Sequence, residues 1–268
     1  LVHDVLQAVH TYPGSQQVTE LRNSNGLSIV ATGHHDHLVQ NYSSRDGKWQ
    51  RLRKVRTKDL KNAHHLLRVP LGDATGRTPI YTDDEVALFA WVATEGHLFA
   101  HRGVTEKRGV GLVQSQRHNP HYVAEIDALL DRLGGHYNRK TARNGEMVCW
   151  QLRKPLWLKI HAALPGKVVT PALVASLTIP QMRLFIDTFT KGDGHFPEEG
   201  GNTITQRLRE NLDALQAMAV LSGITSTVYY QVGAHDFGSI YLAKNSVRSH
   251  VKAMVESAER TVDTVWCP

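Results

Sequence analysis

Short runs of β-prone residues fill the first part of the chain. The runs at 18–21 and 27–30 flank a turn signal, and Asp46-Gly47 is a hairpin dipeptide between two further runs. No amphipathic helix of useful length occurs before residues 72–79, which are rich in helix breakers. This pattern predicts an all-β domain over residues 1–75.

Longer periodic segments follow, in which helices and strands alternate. A first helix is predicted to begin with Asp83 or Asp84 as its N-cap and to end at Gly96. A second is predicted after Asn119, which serves as N-cap with Pro120 at the first helical position. The strand-like runs of this half are 97–102, 111–117, 136–143 and 146–153, and Asn144-Gly145 joins the last two as a hairpin turn.

The same order of elements then recurs. The pattern predicts a helix over 179–190, a strand over 203–206, a helix from 208 to Gly223, and strands over 224–232 and 237–244. A duplicated α-β-β-α-β-β unit is therefore predicted, with one repeat at 76–168 and the other at 169–250. The final stretch, 251–268, predicts a helix over 251–259 and a strand over 261–266.

Two of the predicted helices end in the same way. Each closes with an acid, a glycine and a histidine: Glu95-Gly96-His97 in the first repeat and Asp193-Gly194-His195 in the second. Small residues spaced four apart precede both acids and let two helix backbones approach closely: Ala90 with Thr94, and Thr188 with Gly192. One acid before a helix-ending glycine is common, but two in register favour a functional site. Parallel packing of the helices would bring Glu95 and Asp193 side by side.

Two carboxylates at such a distance repel each other unless a cation lies between them. Hard divalent ions such as Mg²⁺ or Mn²⁺ accept carboxylate, water and phosphate oxygens. Metals held beside a phosphodiester activate water and stabilise the leaving oxygen. The acids therefore favour metal-dependent hydrolysis of a phosphodiester.

These motifs resemble the two signature helices of single-chain LAGLIDADG homing endonucleases. The resemblance covers residues 83–250, with acids 98 residues apart, and Phe89, Trp91 and Asp187 depart from the family consensus. It implies an α+β fold in which two pseudo-symmetric αββαββ repeats form a DNA-binding saddle. It also implies a monomer with an internal pseudo-two-fold axis that cuts both strands of double-stranded DNA at one long site.

The resemblance also implies roles for particular residues. The metal site would comprise Glu95 and Asp193 with the adjoining Gly96 and Gly194. The family places lysines near the scissile phosphates, and Lys167 and Lys244 match those positions; a lysine there can stabilise charge on the phosphate. A surface lysine without such a role is the alternative for each.

Polar side chains alternate along the strand-like runs. A β-ribbon fits the major groove of DNA, where alternate side chains on one face reach base edges. Such residues also suit an ordinary wetted sheet face, and the paired acids favour base reading. The predicted DNA-binding residues are Gln114, Gln116, Arg139, Thr141, Arg143, Gln151, Arg153, Thr225, Thr227, Tyr229 and Gln231.

Composition fits a DNA-binding protein but does not require one. The net charge is +6, and seven lysines and arginines crowd residues 48–61, which attracts polyanions. The only cysteines, Cys149 and Cys267, exclude a disulfide framework and indicate a reducing interior. We expect a cytoplasmic protein that a prokaryote or a phage encodes. No apolar run is long enough to predict a membrane span.

The flanking segments resemble parts of an intein. Residues 26–35 are similar to the splicing block that ends in Thr-x-x-His, which falls on Thr32 and His35, and residues 265–268 are similar to the start of a late block, with Cys267. The resemblance implies a partial all-β Hint-like splicing domain at 1–75 and 251–268, interrupted by the endonuclease. Inteins begin with Cys or Ser and end in His-Asn, so with Leu1 and Pro268 at its ends we expect this chain not to splice.

Two other functions are compatible with the sequence. A DNA-binding module that has lost cleavage would use the same scaffold, and so would a protein-splicing element. The presence of both acids favours the nuclease.

Overall fold

The chain forms a mixed α+β structure with two compact units. One unit comprises Leu1–Thr75, Gly223–Thr227 and Ala243–Pro268, and the other comprises Gly76–Ser222 and Val228–Leu242. Among the described residues, no helix has the length and apolar character needed to cross a membrane. The computed structural model describes residues 10–23, 28–67, 78–100, 109–142, 144–197, 200–231, 237–243, 248–250 and 254–267.

Strands account for most of the described residues before the first helix. They are β1 (His10–Asn23), β2 (Ser28–Thr32), β3 (Asp36–Gln40), β4 (Tyr42–Ser43), β5 (Lys48–Trp49), β6 (Arg53–Arg56) and β7 (His65–Leu67). The predicted hairpin at Asp46-Gly47 is confirmed, because β4 and β5 pair across it. A 3₁₀ turn at Thr57–Asp59 follows β6.

The first repeat of the second unit contains two helices and a four-stranded sheet. Its elements are α1 (Asp83–Glu95), β8 (Gly96–Phe99), β9 (Gly109–Ser115), α2 (Pro120–Arg132), β10 (Tyr137–Ala142) and β11 (Met147–Leu152). The predicted Asn144-Gly145 turn joins β10 to β11, and both of its residues have positive φ values, 54° and 91°.

Two further helices connect the repeats, α3 (Lys154–Ala163) and α4 (Pro171–Ser176), with a 3₁₀ turn at Pro165–Lys167 between them. The sequence pattern did not predict either helix. Both are short, at ten and six residues, so neither carries a long periodic stripe.

The second repeat follows the same order as the first. Its elements are α5 (Ile179–Asp193), β12 (Gly194–His195), β13 (Asn202–Gln206), α6 (Arg209–Leu221), β14 (Thr225–Gln231) and β15 (Phe237–Ala243). The sheets have matching strand orders, β10-β11-β9-β8 in the first repeat and β14-β15-β13-β12 in the second. The predicted duplication of α-β-β-α-β-β order is therefore observed.

The chain returns to its first strands at the C-terminal end. β16 (Arg248–His250) pairs with β7, and β17 (Met254–Cys267) pairs with β1 along nearly its whole length. The prediction of a helix over 251–259 is wrong for 254–259, which lie in β17. Helix-forming residues in this segment are overridden because β1 offers a fourteen-residue partner for backbone pairing.

α1 and α5 both begin with a capping box. The Thr82 hydroxyl accepts from the Glu85 backbone N–H at 3.2 Å, and the Glu85 carboxylate accepts from the Thr82 N–H at 2.9 Å. Thr178 and Gln181 form the same arrangement at the start of α5. The N-cap of α1 is therefore Thr82, and the prediction of Asp83 or Asp84 is wrong by one or two residues.

α1 and α5 pack side by side in parallel. At their N-terminal ends, the Gln181 amide donates to the Tyr81 carbonyl oxygen at 2.7 Å. At their C-terminal ends, a Cβ added to Gly192 would collide with the side chain of Thr94. This close approach confirms the predicted packing through small residues. α1 is buried almost all round, which explains why its apolar stripe is weak.

Candidate active site

The two acids lie at matching ends of the packed helices. Glu95 is the last residue of α1 and Asp193 is the last residue of α5, and each side chain is half-buried. The following glycines are sterically required, because a Cβ at Gly96 or Gly194 would collide with the carbonyl oxygen of the preceding helical turn. The acid-glycine sequence thus turns the chain directly from helix into strand, with the carboxylate at the turn.

Each carboxylate accepts a hydrogen bond from a glutamine on the neighbouring sheet. The Gln114 amide donates to Glu95 Oε1 at 3.0 Å, and the Gln206 amide donates to Asp193 Oδ2. Gln114 is itself fixed, because its Oε1 accepts from the Ser115 backbone N–H at 2.7 Å. The two glutamines therefore hold the carboxylates in the same way in both repeats.

This placement corrects the prediction for Gln114. Its side chain is only 4% exposed and is directed at the acid, so it does not lie on a groove-facing surface. Gln206 was not identified from the sequence, although a signal exists. Both glutamines stand two residues after the strand residue that pairs with the glycine of the motif: Leu112 opposite Gly96, and Ile204 opposite Gly194.

The environment of the acids opposes their ionisation. Burial raises the pKa of Glu95; the Gln114 hydrogen bond lowers it, and the charge of Asp193 raises it further. Burial likewise raises the pKa of Asp193 against the opposing effects of Gln206 and Lys167. Two carboxylates that are costly to ionise form a site that a cation stabilises.

Lys167 contributes a cation to this site. Its Nζ donates to the Gly96 carbonyl oxygen at 2.6 Å and to that of Thr94 at 3.4 Å. Burial lowers the pKa of Lys167, and attraction to Asp193 and Glu95 opposes that shift. The residue adopts a φ of 69°, a left-handed conformation that costs a non-glycine residue energy and is found preferentially at functional sites.

The donor set suits a magnesium-like ion. Among the residues that the structure describes, no group of three or more His, Cys, Asp or Glu side chains converges. Two carboxylates would therefore be completed by water and phosphate oxygens, the shell that Mg²⁺ and Mn²⁺ accept. Of the glycines predicted for this site, Gly96 already shares its carbonyl oxygen with Lys167, and Gly194 pairs with Ile204 in the sheet.

The structure places the predicted β10 residues Arg139 and Thr141 on the side of the sheet that faces α2. Arg139 pairs with Trp150 across the hairpin, and directly opposed residues point to the same side of a sheet. Trp150 is fully buried and donates to Asp127 of α2 at 2.7 Å, and Arg139 also donates to Asp127, at 3.0 Å. Arg139 therefore faces the helix, and so does Thr141, which pairs with the buried Val148.

The opposite face of this sheet is open to solvent. Asn138 pairs with Gln151 and Lys140 pairs with Cys149, so these four residues share it. Gln151 is exposed and lies where it was predicted, whereas Arg153 donates to the Asn138 side-chain oxygen at 2.9 Å. Because successive residues of a strand point to opposite faces, the open face carries Asn138 and Lys140 and the helix-facing side carries Arg139 and Thr141.

The remaining predicted DNA-binding residues differ in how exposed they are. Gln116 is half-buried just beyond β9, Tyr229 is half-exposed, and Thr225 and Thr227 are buried. Tyr230 bonds to Asp213 of α6, so the adjacent Tyr229 points away from that helix. Arg143, Lys244 and the side chain of Gln231 lie outside the described residues.

The predicted splicing residues lie in the first unit. Thr32 ends β2, and its carbonyl oxygen accepts from the His35 backbone N–H at 3.1 Å. The His35 ring packs edge-on against His37, which is buried and bonded to Thr57 at 2.9 Å. Cys267 pairs with His10 at the end of β17, and its side chain lies outside the described part of the chain. A splicing role for these residues stays a prediction.

Solved structures similar to this chain include homing endonucleases. Mesophilic variants of the homing endonuclease I-DmoI give a TM-score of 0.49 at 11% sequence identity, covering 60% of this chain and 89% of that one. I-WcaI bound to its DNA recognition sequence gives 0.39 at 9% identity, covering 62% and 77%. A mutant of I-SmaMI gives 0.40 at 9% identity, covering 60% and 79%. No family model and no curated protein matches the chain. TM-scores below 0.5 at such identities assign neither family nor activity, so the function must be inferred from the site itself.

Proposed function

We propose that this protein is a site-specific endonuclease that cuts both strands of duplex DNA at one long site by metal-dependent hydrolysis. The observation that carries the proposal is the juxtaposition of two desolvated carboxylates, Glu95 and Asp193, with the ammonium group of Lys167. Structural acids do not need this arrangement. It suits a reaction in which negative charge on a phosphate increases.

Each side chain of the site has a separate task in this proposal. Glu95 and Asp193 would hold Mg²⁺ or Mn²⁺, which would supply Lewis-acid stabilisation at the scissile phosphate when bound. Gln114 and Gln206 fix the orientation of the two carboxylates through their amide hydrogen bonds. Lys167 stabilises the charge that develops on the phosphate oxygens, and burial makes this interaction stronger than it would be in water.

The open faces of the two sheets offer polar groups to DNA. In the first repeat, Asn138, Lys140 and Gln151 are exposed on one face. In the second repeat, the Thr205 and Ser239 hydroxyls lie 3.0 Å apart on paired strands. Side chains of these types hydrogen-bond to base edges in the major groove. In this proposal the face that carries Asn138, Lys140 and Gln151 contacts the bases, and the face that carries Arg139 does not.

We also propose that the enzyme is carried by an intein. The support is the first unit, whose described elements are strands apart from one 3₁₀ turn and in which β1 pairs with β17. Thr32 ends β2 in this unit, and His35 lies in the turn that leads to β3. The target site is then the junction that the intein interrupts in its host gene. The proposed boundaries of the splicing and endonuclease segments are 1–75, 76–168, 169–250 and 251–268.

Cleavage of the uninterrupted host allele tests the function. A plasmid that carries this allele is incubated with the protein and Mg²⁺, and we expect one double-strand cut at the intein junction. Glu95→Gln and Asp193→Asn should each abolish cutting and leave binding intact, because affinity comes from distributed phosphate contacts. Binding without cleavage by the wild-type protein would identify a non-catalytic DNA-binding module. Cutting by either variant at the wild-type rate would refute the metal site.

A further inference from the structure

A basic cleft lies in the first unit, separate from the paired acids. Its volume is about 610 Å³, and five cationic side chains line it: Arg53, Lys54, Arg56, Lys58 and Lys61. Two carboxylates, Asp36 and Asp59, are among its lining residues, which leaves an excess of three positive charges. All five cations are exposed.

Within the described part of the chain, none of these five cations forms an ion pair, although Asp36 and Asp59 also line the cleft. The ion pairs found there involve none of the five. Like charges held within one cleft repel each other, and an anionic ligand would relieve that repulsion. The cluster of cations therefore favours the binding of an anion and does not stabilise the fold.

The wall of the cleft contains a second indication of an anion. His64 is buried, and its Nδ1 accepts from the Lys61 backbone N–H at 3.0 Å. A neutral imidazole has a single N–H, which must then be at Nε2. Arg53 Nη2 lies 2.9 Å from this Nε2, so two donors face each other. An anionic oxygen at this edge would accept from both groups.

The lining residues favour a phosphodiester backbone over a free nucleotide. Sites for small organic molecules are lined mainly by apolar and aromatic side chains. Among the described residues that line this cleft, Val55 and Leu60 are the only aliphatic ones, and His64 is the only ring. The cleft thus offers charge without a slot for a base.

We propose that this cleft binds phosphate groups, and that its ligand is the backbone of duplex DNA outside the cleavage site. The interaction is sequence-independent, because phosphates carry no base information. It adds to affinity through release of counterions from the DNA. Phosphate binding here does not depend on cleavage, since none of the cleft residues belongs to the paired-acid site.

A matched pair of triple variants tests the proposal in the full chain. R56Q/K58Q/K61Q removes three cations from the cleft. R45Q/K48Q/R51Q removes three exposed cations from the same unit that do not line it. Both variants change net charge equally, so bulk electrostatics cannot separate them. A charge-preserving variant, R56K/K58R/K61R, controls for local structure.

Binding to a random-sequence duplex is measured in EDTA as a function of salt concentration. The slope of log K against log salt falls by about 0.9 for each DNA phosphate that the protein no longer neutralises. We expect the slope to fall by about two to three units in the cleft variant, by less than one in the control triple, and not at all in the charge-preserving variant. Equal reductions in both glutamine triples, or an unchanged slope in the cleft variant, would overturn the proposal.

Tripolyphosphate and ATP, titrated by calorimetry, distinguish the source of the phosphate. We expect only weak binding of either to the wild-type chain. If the cleft variant no longer binds ATP and keeps the DNA slope of the wild type, the DNA assignment is refuted in favour of a free nucleotide. Failure of the Glu95→Gln experiment would leave this result unaffected, so the two proposals are tested separately.

Discussion

At the scale of single residues, the site is defined by acids that are expensive to ionise. Burial raises the pKa of Glu95 and of Asp193, and each has a glutamine that partly offsets the cost. The identity of the acids could be predicted from the duplicated helix endings. The glutamines could not, because their relation to the acids runs through strand pairing rather than through spacing along the chain.

Neutralising either acid should stabilise the metal-free protein. The folded-state pKa is raised above the unfolded value, so the ionised form at pH 7 costs stability. That cost decreases as pH falls through the folded pKa and is gone below the unfolded pKa. Glu95→Gln and Asp193→Asn should raise the Tm in EDTA, by about 2 to 4 °C for each kcal/mol. Mg²⁺ should raise the wild-type Tm more than that of either variant.

Thermal denaturation with and without Mg²⁺ is the measurement. Glu146→Gln, which changes a carboxylate paired with Arg117 and more than half exposed, is the control and should move Tm little. A lower Tm for both active-site variants in EDTA would show that the acids are stabilised by their surroundings and need no cation.

The two glutamines should tune the metal site rather than DNA affinity. Gln114→Ala or Gln206→Ala removes the amide that orients a carboxylate, and such partners typically contribute about 10–100-fold to metal affinity or activity. We expect the half-saturating Mg²⁺ concentration for cleavage to rise by about that factor. DNA affinity in EDTA should be unchanged by either substitution. Reduced DNA affinity with unchanged Mg²⁺ dependence would assign Gln114 to the DNA surface instead.

At the scale of elements, the sequence pattern predicted the long helices and the hairpins between neighbouring strands. α2, α5 and α6 were predicted because an apolar stripe marks each of them, and the Asn144-Gly145 hairpin because of its turn dipeptide. α1 was predicted from the acids at its start and the glycine that ends it. β17 was partly mistaken for a helix because its conformation depends on a partner more than 200 residues away. The side of β10 that faces α2 could not be predicted, because Tyr137–Ala142 is mostly polar and has no alternation of apolar and polar residues to set its phase.

Substitutions at the adjacent residues Lys140 and Arg139 should have different effects, because the two side chains lie on opposite faces of β10. Lys140→Ala removes an exposed cation from the open face and should weaken DNA binding, lowering the salt slope by about one unit. Arg139→Ala should leave that slope unchanged and cost stability of about 0.2 to 1 kcal/mol, because its partner is Asp127 of α2. Salt-dependent binding and urea unfolding of both variants test this. The reverse pattern would restore the sequence-based assignment of Arg139 to the DNA surface.

At the scale of the whole molecule, duplication within one chain supplies both halves of the site. Glu95 comes from the first repeat and Asp193 from the second, and α1 and α5 pack against each other inside one compact unit. A single chain therefore contains both acids, Lys167 and two sheets. This arrangement makes oligomerisation unnecessary for the proposed cleavage of both strands.

One chain should therefore bind and cut one target site. Sedimentation of the complex formed in EDTA should give one protein chain per duplex. Mixing Glu95→Gln with Asp193→Asn protein gives the sharper test, because each variant lacks a different acid. If the site is intramolecular, the mixture should be as inactive as either variant alone, since no molecule in it has both acids. Cleavage restored by mixing, or two chains per duplex, would show that an acid is contributed from a second copy, and the packing of α1 on α5 within one chain would not be the catalytic arrangement.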